Sequence, residues 1–309
     1  MTTFQKVKLK DCVTFRTGKL NSNAAVHDGA YPFFTCSQEI YRTNTYAFDT
    51  ECVLLGGNNA SAVYPIFYYK GKFDAYQRTY IIEPKKENNI RFLYYLISKK
   101  LAELKEKSTG ATTKFLTIKI LHNIDVLLPD PKYQIRIASV LSAYDDLIEN
   151  NEKRIKALEE MAQLLYTEWF VKFKFPGHEK VKMVESGTEY GKIPENFIIE
   201  DITKLIDFVR GVEPGSTNYK TYFSPGLLPF LRVGDLGSRS SELFVEKAVT
   251  KGKILERKDV AVTMDGTVGR VVIGFFGAYS TGIRKLVILD EKINREFLYN
   301  FMLSDYVQN

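Results

Sequence analysis

Few residues in this chain have the type and spacing that catalysis would require. Its three histidines, His27, His122 and His178, stand far apart, without the neighbours that a metal site or a general base would need. Cys12, Cys36 and Cys52 form an odd set with no C-x-x-C spacing, which argues against a disulfide framework and a zinc site and fits a reducing compartment. Neither phosphate loop, G-x-G-x-x-G or G-x-x-x-x-G-K-[ST], occurs, nor does H-E-x-x-H or G-x-S-x-G. No Pro-Pro pair is present from which an Asp/Asn-Pro-Pro-Tyr methyl-transfer site could be built. The expectation is a chain that is not an enzyme by itself and that carries no cofactor and no metal.

What the sequence does offer is binding chemistry. Three glycine-punctuated polar stretches, 19–23, 56–61 and 108–114, present amides, hydroxyls and lysines suited to positioning phosphates and pairing with adenine edges. From them and the strands beside them the candidate DNA contacts are Lys19, Asn21, Asn58, Asn59, Arg78 and Lys114. In the second half, Arg210, Arg232, Arg239, Arg270 and Arg284 supply guanidinium forks that can grip phosphates or read guanine O6 and N7. The net charge of +6 is concentrated: residues 1–130 hold 18 Lys and Arg against 12 Asp and Glu, whereas residues 131–178 and 179–309 are each balanced. That excess permits a nucleic-acid partner without demonstrating one.

These loops need a scaffold, and 309 residues suggest two domains. No apolar run is long enough to span a membrane, and the start MTTFQKVKLKD has no signal-peptide core, so the predicted location is the cytoplasm. The strongest pattern is a heptad. Ile137, Leu141, Tyr144, Ile148 and Asn151, followed by Ile155, Leu158, Ala162, Leu165 and Trp169, alternate spacings of four and three without a break. Pro129 and Pro131 mark the start of this helix and Pro176 with Gly177 its end. A coiled-coil seam of this length wants a partner helix, and Asn151 within it can fix the register.

On either side of the helix the same design is written twice. FRTG (15–18), AYPFF (30–34), ECVLLGG (51–57), YIIEP (80–84) and FLYYLIS (92–98) match FVRG (208–211), LLPFL (227–231), DVAVTMDG (259–266), LVILD (286–290) and FLYNFML (297–303) in order. The predicted class is α+β: two structurally repeated β-rich domains, 1–130 and 176–309, separated by a long coiled-coil-forming helix, 131–175.

Thr109-Gly110-Ala111-Thr112, Leu116, Ile124 and the run LLPDPKYQIRIASVLSAYDDLIENNEKRIKALEEMAQLLYTEWFVKF (127–173) resemble the central region of the DNA-specificity subunits of type I restriction-modification systems. LRVGDLG (231–237) and DGTVGR (265–270) are similar to blocks inside that family's second target-recognition domain. The resemblance covers essentially the whole chain. It implies a bipartite target in double-stranded DNA, docking of methylation and restriction subunits, and catalysis and cofactors that reside in those partners. The usual Pro-Pro-Leu turn reads Pro129-Asp130-Pro131. Asn309 maps back to Leu104 of the first copy, so the chain is expected to be cut short before a second helix, and two copies are expected to pair through their central helices. Two other readings stay open on the residues: the recognition fragment of a single-chain restriction enzyme, and a structural coiled-coil protein with β-rich binding domains.

Overall fold

The computed structural model describes residues 4–188 and 190–308. It divides into two compact units, 1–152 and 153–309. The division falls inside the central helix, so each unit owns part of the segment that the sequence analysis set apart.

In the first unit a short helix, α1 (Leu9–Cys12), leads into strands β1 (Val13–Thr17), β2 (Tyr31–Phe34), β3 (Tyr41–Thr43), β4 (Phe48–Gly56), β5 (Ile66–Ala75) and β6 (Thr79–Pro84) and helix α2 (Ile90–Lys99). The strands form one sheet in the order β1-β6-β4-β5-β2-β3, antiparallel except for β2 beside β5. Alternation within β4 explains its apolar run. Cys52 and Leu54 face Phe34, Phe73 and Ile81 on one side. Val53 and Leu55 face Leu9, Ile82, Leu93 and Ile97 on the other. Over residues 52–55, covered on both faces, the strand has no position for a polar side chain; Asp49, Thr50 and Glu51 precede the covered run.

The central helix is α3 (Pro131–Tyr166), its residues up to Glu152 counted in the first unit and the rest in the second. Pro131 sits where a helix has no use for its first N–H, and the Asp130 carbonyl takes the first bonds, from the amides of Tyr133 and Gln134. Gln134 is fully buried. Its amide accepts from Asn89 N at 2.9 Å and donates to Asn88 Oδ1 at 3.0 Å and to the Pro129 carbonyl at 2.9 Å. Tyr95 of α2 donates to Asp145 at 2.5 Å.

The second unit repeats the first. It contains α4 (Ile202–Leu205), β7 (Ile206–Arg210), β8 (Leu227–Leu231), β9 (Phe244–Glu246), β10 (Val260–Thr263), β11 (Val271–Val272), β12 (Gly277–Tyr279), β13 (Ile283–Ile288) and α5 (Arg295–Met302). β7 pairs with β13 and β13 with β10, as β1 does with β6 and β6 with β4; β8 runs parallel to β12, as β2 does to β5. Asn89 caps α2 by accepting from Phe92 N at 2.9 Å, and Asn294 caps α5 by accepting from Phe297 N at 2.7 Å. Leu93 and Leu298, the same position in each helix, are buried against their sheets. The expected duplication and α+β class are therefore present in three dimensions.

The helix departs from expectation in two respects. It is regular only to Tyr166, after which Thr167–Val171 forms a wider π turn rather than continuing to Pro176. There the ring of Phe170 packs on Phe297 of α5 at 4.9 Å, and a wider turn is how a helix re-aims such a side chain. The exposed apolar band is also broader than the predicted seam. Ile137 and Ala162 are half-buried, while Val140, Leu147, Met161 and Leu164, outside the seam, are exposed beside Leu141, Tyr144, Ile148, Ile155, Leu158 and Leu165. A straight helix drifts about 20° per heptad, so a strict heptad seam cannot stay on one face over this length.

Candidate functional site

The first unit carries a cleft of about 660 Å³ at one end of its sheet. Its floor is made by Phe15 and Tyr80, and Gln77, Arg78, Thr109 and Phe115 stand around it. Two distant segments meet here. Asn58–Asn59 pairs antiparallel with Lys114–Phe115, so the amide-rich loop after β4 and the Thr109–Phe115 loop form a small two-stranded ribbon. The second loop closes on itself, with Thr109 and Phe115 exchanging backbone hydrogen bonds at 3.1 and 2.7 Å. Gly110 is required in it: its φ is +107°, and a Cβ there would lie 2.0 Å from the Thr113 carbonyl oxygen.

Of the six residues predicted in this unit, only Arg78 lines the cleft; Asn58, Asn59 and Lys114 lie in the ribbon whose Phe115 borders it. The Arg78 guanidinium lies 5.4 Å over the Phe115 ring. Lys19 and Asn21 are exposed on the neighbouring segment, where Leu20 bridges to Tyr76. Asn59 is committed to its own loop: its side-chain oxygen accepts from the amides of Ser61 at 2.8 Å and Val63 at 3.4 Å, leaving only its NH₂ for a ligand. The side-chain oxygen of Asn58 is buried with no hydrogen-bond partner. An acceptor left unpaired in this way costs roughly 1–3 kcal/mol and is a position where a donor would be welcome.

The turn that carries Arg78 was missed as a unit. Thr79 N donates to the Tyr76 carbonyl at 2.8 Å, closing a turn with Gln77 and Arg78 at its centre. Gln77 is exposed beside Arg78 and was not a candidate. The sequence signal for it is the polar pair QR between two β-rich runs. Arg16, also at the cleft, is less available, since it pairs with Glu83 at 2.8 Å and lies over Phe48.

The five arginines of the second unit do not converge. Arg210 is exposed at the end of β7, opposite Arg284 on β13, whose guanidinium donates to the carbonyls of Thr281 and Ile283. Arg232 is held by Asp235, its Nε 3.2 Å from Oδ2 and its Nη2 3.3 Å from Oδ1. That pair closes the start of the Val233–Ser238 helix, so the Arg232 fork is spent on its own backbone turn. Arg239 and Arg270 share a pocket of about 270 Å³ with Glu159 of α3 and Tyr299 of α5. Burial pushes the Tyr299 phenol up, Glu159 adds to the shift, and Arg239 opposes it. Arg270 lies against Gly237, where a Cβ would sit 2.2 Å from its Nη1. Among the described residues no group of three or more His, Cys, Asp or Glu side chains is placed to hold a metal ion, and no helix is long and apolar enough to cross a membrane.

A duplicated α+β frame, each copy holding part of one long helix and the first copy opening an aromatic cleft edged by Arg16 and Arg78, defines a two-unit modular protein. Comparison with known proteins gives that class a family. The chain belongs to the type I restriction modification DNA specificity domain family, whose model matches residues 1–160. It is 40% identical over 165 residues to the type I restriction enzyme EcoDI specificity subunit of Escherichia coli, an alignment covering 52% of this chain and 35% of that protein. It is 31% identical over 244 residues to the MjaIX specificity subunit of Methanocaldococcus jannaschii, covering 73% of this chain and 55% of the relative. The chain thus spans about a third to just over half of the length of these two relatives. Its fold is like that of the type I restriction-modification S subunit from M. genitalium, with a TM-score of 0.62 at 15% identity over 99% of this chain and 79% of that one.

Proposed function

We propose that this chain is a non-catalytic specificity subunit that reads a bipartite target in double-stranded DNA, one short half-site per unit, for a type I restriction-modification complex in the cytoplasm. The observation that carries the reading is the duplication: the same three-strand antiparallel pairing, the same parallel pair and the same asparagine-capped helix occur twice, in one six-stranded sheet in the first unit and in two four-stranded sheets in the second. Family membership supplies the ligand class. In the first unit Lys19 and Lys114 anchor phosphates and Arg78 faces the groove with Asn58 beside it; in the second, Arg210 and Arg239 supply exposed guanidiniums, while that of Arg232, also exposed, is held by Asp235. The broad apolar band on α3 is the surface for a protein partner, either the methylation subunit or a second copy of this chain, with the restriction subunit joining the assembly. The partners bring S-adenosylmethionine and ATP; this chain holds neither.

Footprinting of the purified chain, alone and with its methylation subunit, on DNA selected from a random pool tests this. The expected result is two protected blocks with an indifferent spacer between them. One continuous block with sequence preference at every base pair would overturn it.

A further inference from the structure

The Tyr76–Thr79 turn of the first unit has a backbone anchored at several points, while the side chains of its two central residues are uncommitted. Tyr76 N donates to the Phe34 carbonyl at 2.9 Å, Gln77 N to the Leu20 carbonyl at 2.9 Å, and the Arg78 carbonyl accepts from Gly57 N at 2.8 Å. Two glycines permit the approach. A Cβ on Gly18 would lie 2.0 Å from the Ala75 carbonyl oxygen, and one on Gly57 would lie 2.5 Å from that of Arg78. The side chains of Gln77 and Arg78 make no hydrogen bond or ion pair among the described residues, and the Arg78 guanidinium is steadied only by the Phe115 face. Arg16 and Arg42, by contrast, have their donors on Glu83 and on the Gly29 and Ala30 carbonyls. A rigid backbone presenting unspent donors is the arrangement that preorganised recognition requires.

The second unit builds the same clamp around different residues. Ser280 N donates to the Leu231 carbonyl, Met264 N to the Gly282 carbonyl and Ile283 N back to Ser280, at 2.9, 2.8 and 3.0 Å. A Cβ on Gly211 would lie 2.2 Å from the Ser280 carbonyl oxygen. Register places Thr281 where the first unit has Gln77 and Gly282 where it has Arg78. Thr281 is tied to Glu213 through both its amide and its hydroxyl at 3.1 Å, and Gly282 has no side chain.

Resting on the proposed function, we infer that the Tyr76–Thr79 turn is a base-reading element of the first unit, Arg78 taking a guanine through O6 and N7 and Gln77 an adjacent adenine through N6 and N7, whereas the equivalent turn of the second unit reads no base. The chemistry follows from the donors: a planar fork matches the two acceptors of guanine, and a carboxamide matches the donor and acceptor of adenine.

The test is selection of double-stranded oligonucleotides from a pool with a randomised core, using the full chain as wild type and as Arg78→Ala, Arg78→Lys, Gln77→Ala and Thr281→Ala. The expected result is that Arg78→Ala removes the preference for guanine at one position of one half-site, lowering discrimination there roughly 10- to 100-fold. Arg78→Lys does not restore it, Gln77→Ala relaxes the neighbouring position, and Thr281→Ala leaves the other half-site unchanged. Uniform weakening of all sequences by Arg78→Ala, with the selected motif intact and full recovery in Arg78→Lys, makes Arg78 a phosphate anchor and overturns the inference. Relaxation of the second half-site by Thr281→Ala overturns its second clause. A wild-type chain that enriches no sequence defeats the functional reading itself, a different failure from an intact motif that ignores Arg78.

Discussion

Replacing Gln134 should unlock the start of the central helix from the first unit. The residue is inaccessible to solvent and spends its amide on three partners at 2.9, 3.0 and 2.9 Å. Gln134→Met keeps the volume and removes all three bonds. At about 0.5–1.5 kcal/mol net for each, the loss is about 3 kcal/mol, and the stranded Asn89 N–H and Pro129 carbonyl push it higher. Gln134→Glu is more informative, because it puts an oxygen where an NH₂ faced two acceptors. Asn88 cannot turn over to help: its own NH₂ donates to the carbonyls of Lys85 at 2.8 Å and Cys12 at 3.2 Å. The introduced carboxyl is therefore favoured in its protonated form, and its folded pKa lies above the unfolded value of about 4.3. One bond is lost at every pH, because the protonated carboxyl has a single O–H for two acceptors; the pH-dependent part of the penalty is absent below that pH, grows by about 1.4 kcal/mol per unit as pH rises towards the folded pKa, and is constant beyond it. Urea unfolding at pH 5 and pH 8, with hydrogen exchange at the Asn89 amide as the local reporter, measures this. A Gln134→Met chain within about 0.5 kcal/mol of wild type, or a Gln134→Glu chain with no added pH dependence, would refute the reasoning.

Gly18→Ala and Gly211→Ala should each destabilise their own unit by about 2–3 kcal/mol, because each new Cβ meets carbonyl oxygens near 2 Å; thermal unfolding with both variants tests whether the two sites are equivalent. Leu158 is 61% exposed, so Leu158→Asp should change the stability of an isolated chain by no more than about 0.5 kcal/mol while reducing any self-association seen by sedimentation; unchanged association would place the contact elsewhere. Lys19→Ala and Lys114→Ala should weaken binding to all DNA sequences alike and lower the salt slope by about one each, read from affinities between 50 and 200 mM salt.

The sequence made some of this legible because the signals are local. The strand runs, Gly18 with Gly211 and the Asn89/Phe92 and Asn294/Phe297 pairs recur in the same order, and Pro131 does begin the helix. The end of that helix was not legible, since Phe170 is turned by Phe297, more than a hundred residues away. Beside the cleft, the meeting of Asn59 with Lys114 depends on a ribbon between segments about fifty residues apart, for which no local pattern exists. The Arg232 partner was nearer to hand: Asp235 lies three residues on, at the spacing of a helix-start pair.

The clamp beneath the Tyr76–Thr79 turn is made mainly of main-chain groups and of glycines that leave room for them, with the Thr79 hydroxyl donating to the Phe34 carbonyl and the Cys36 thiol to that of Arg78. Gln77 is thus free of structural duty and Arg78 has only the Phe115 face, so exchanging the pair changes the folding free energy by no more than about 1 kcal/mol. Selection can rewrite such positions one at a time without passing through an unfolded intermediate. The same is not true of Arg232, whose loss opens a helix start. A protein whose target must change faster than its architecture has its innovation confined to the residues that the frame does not need.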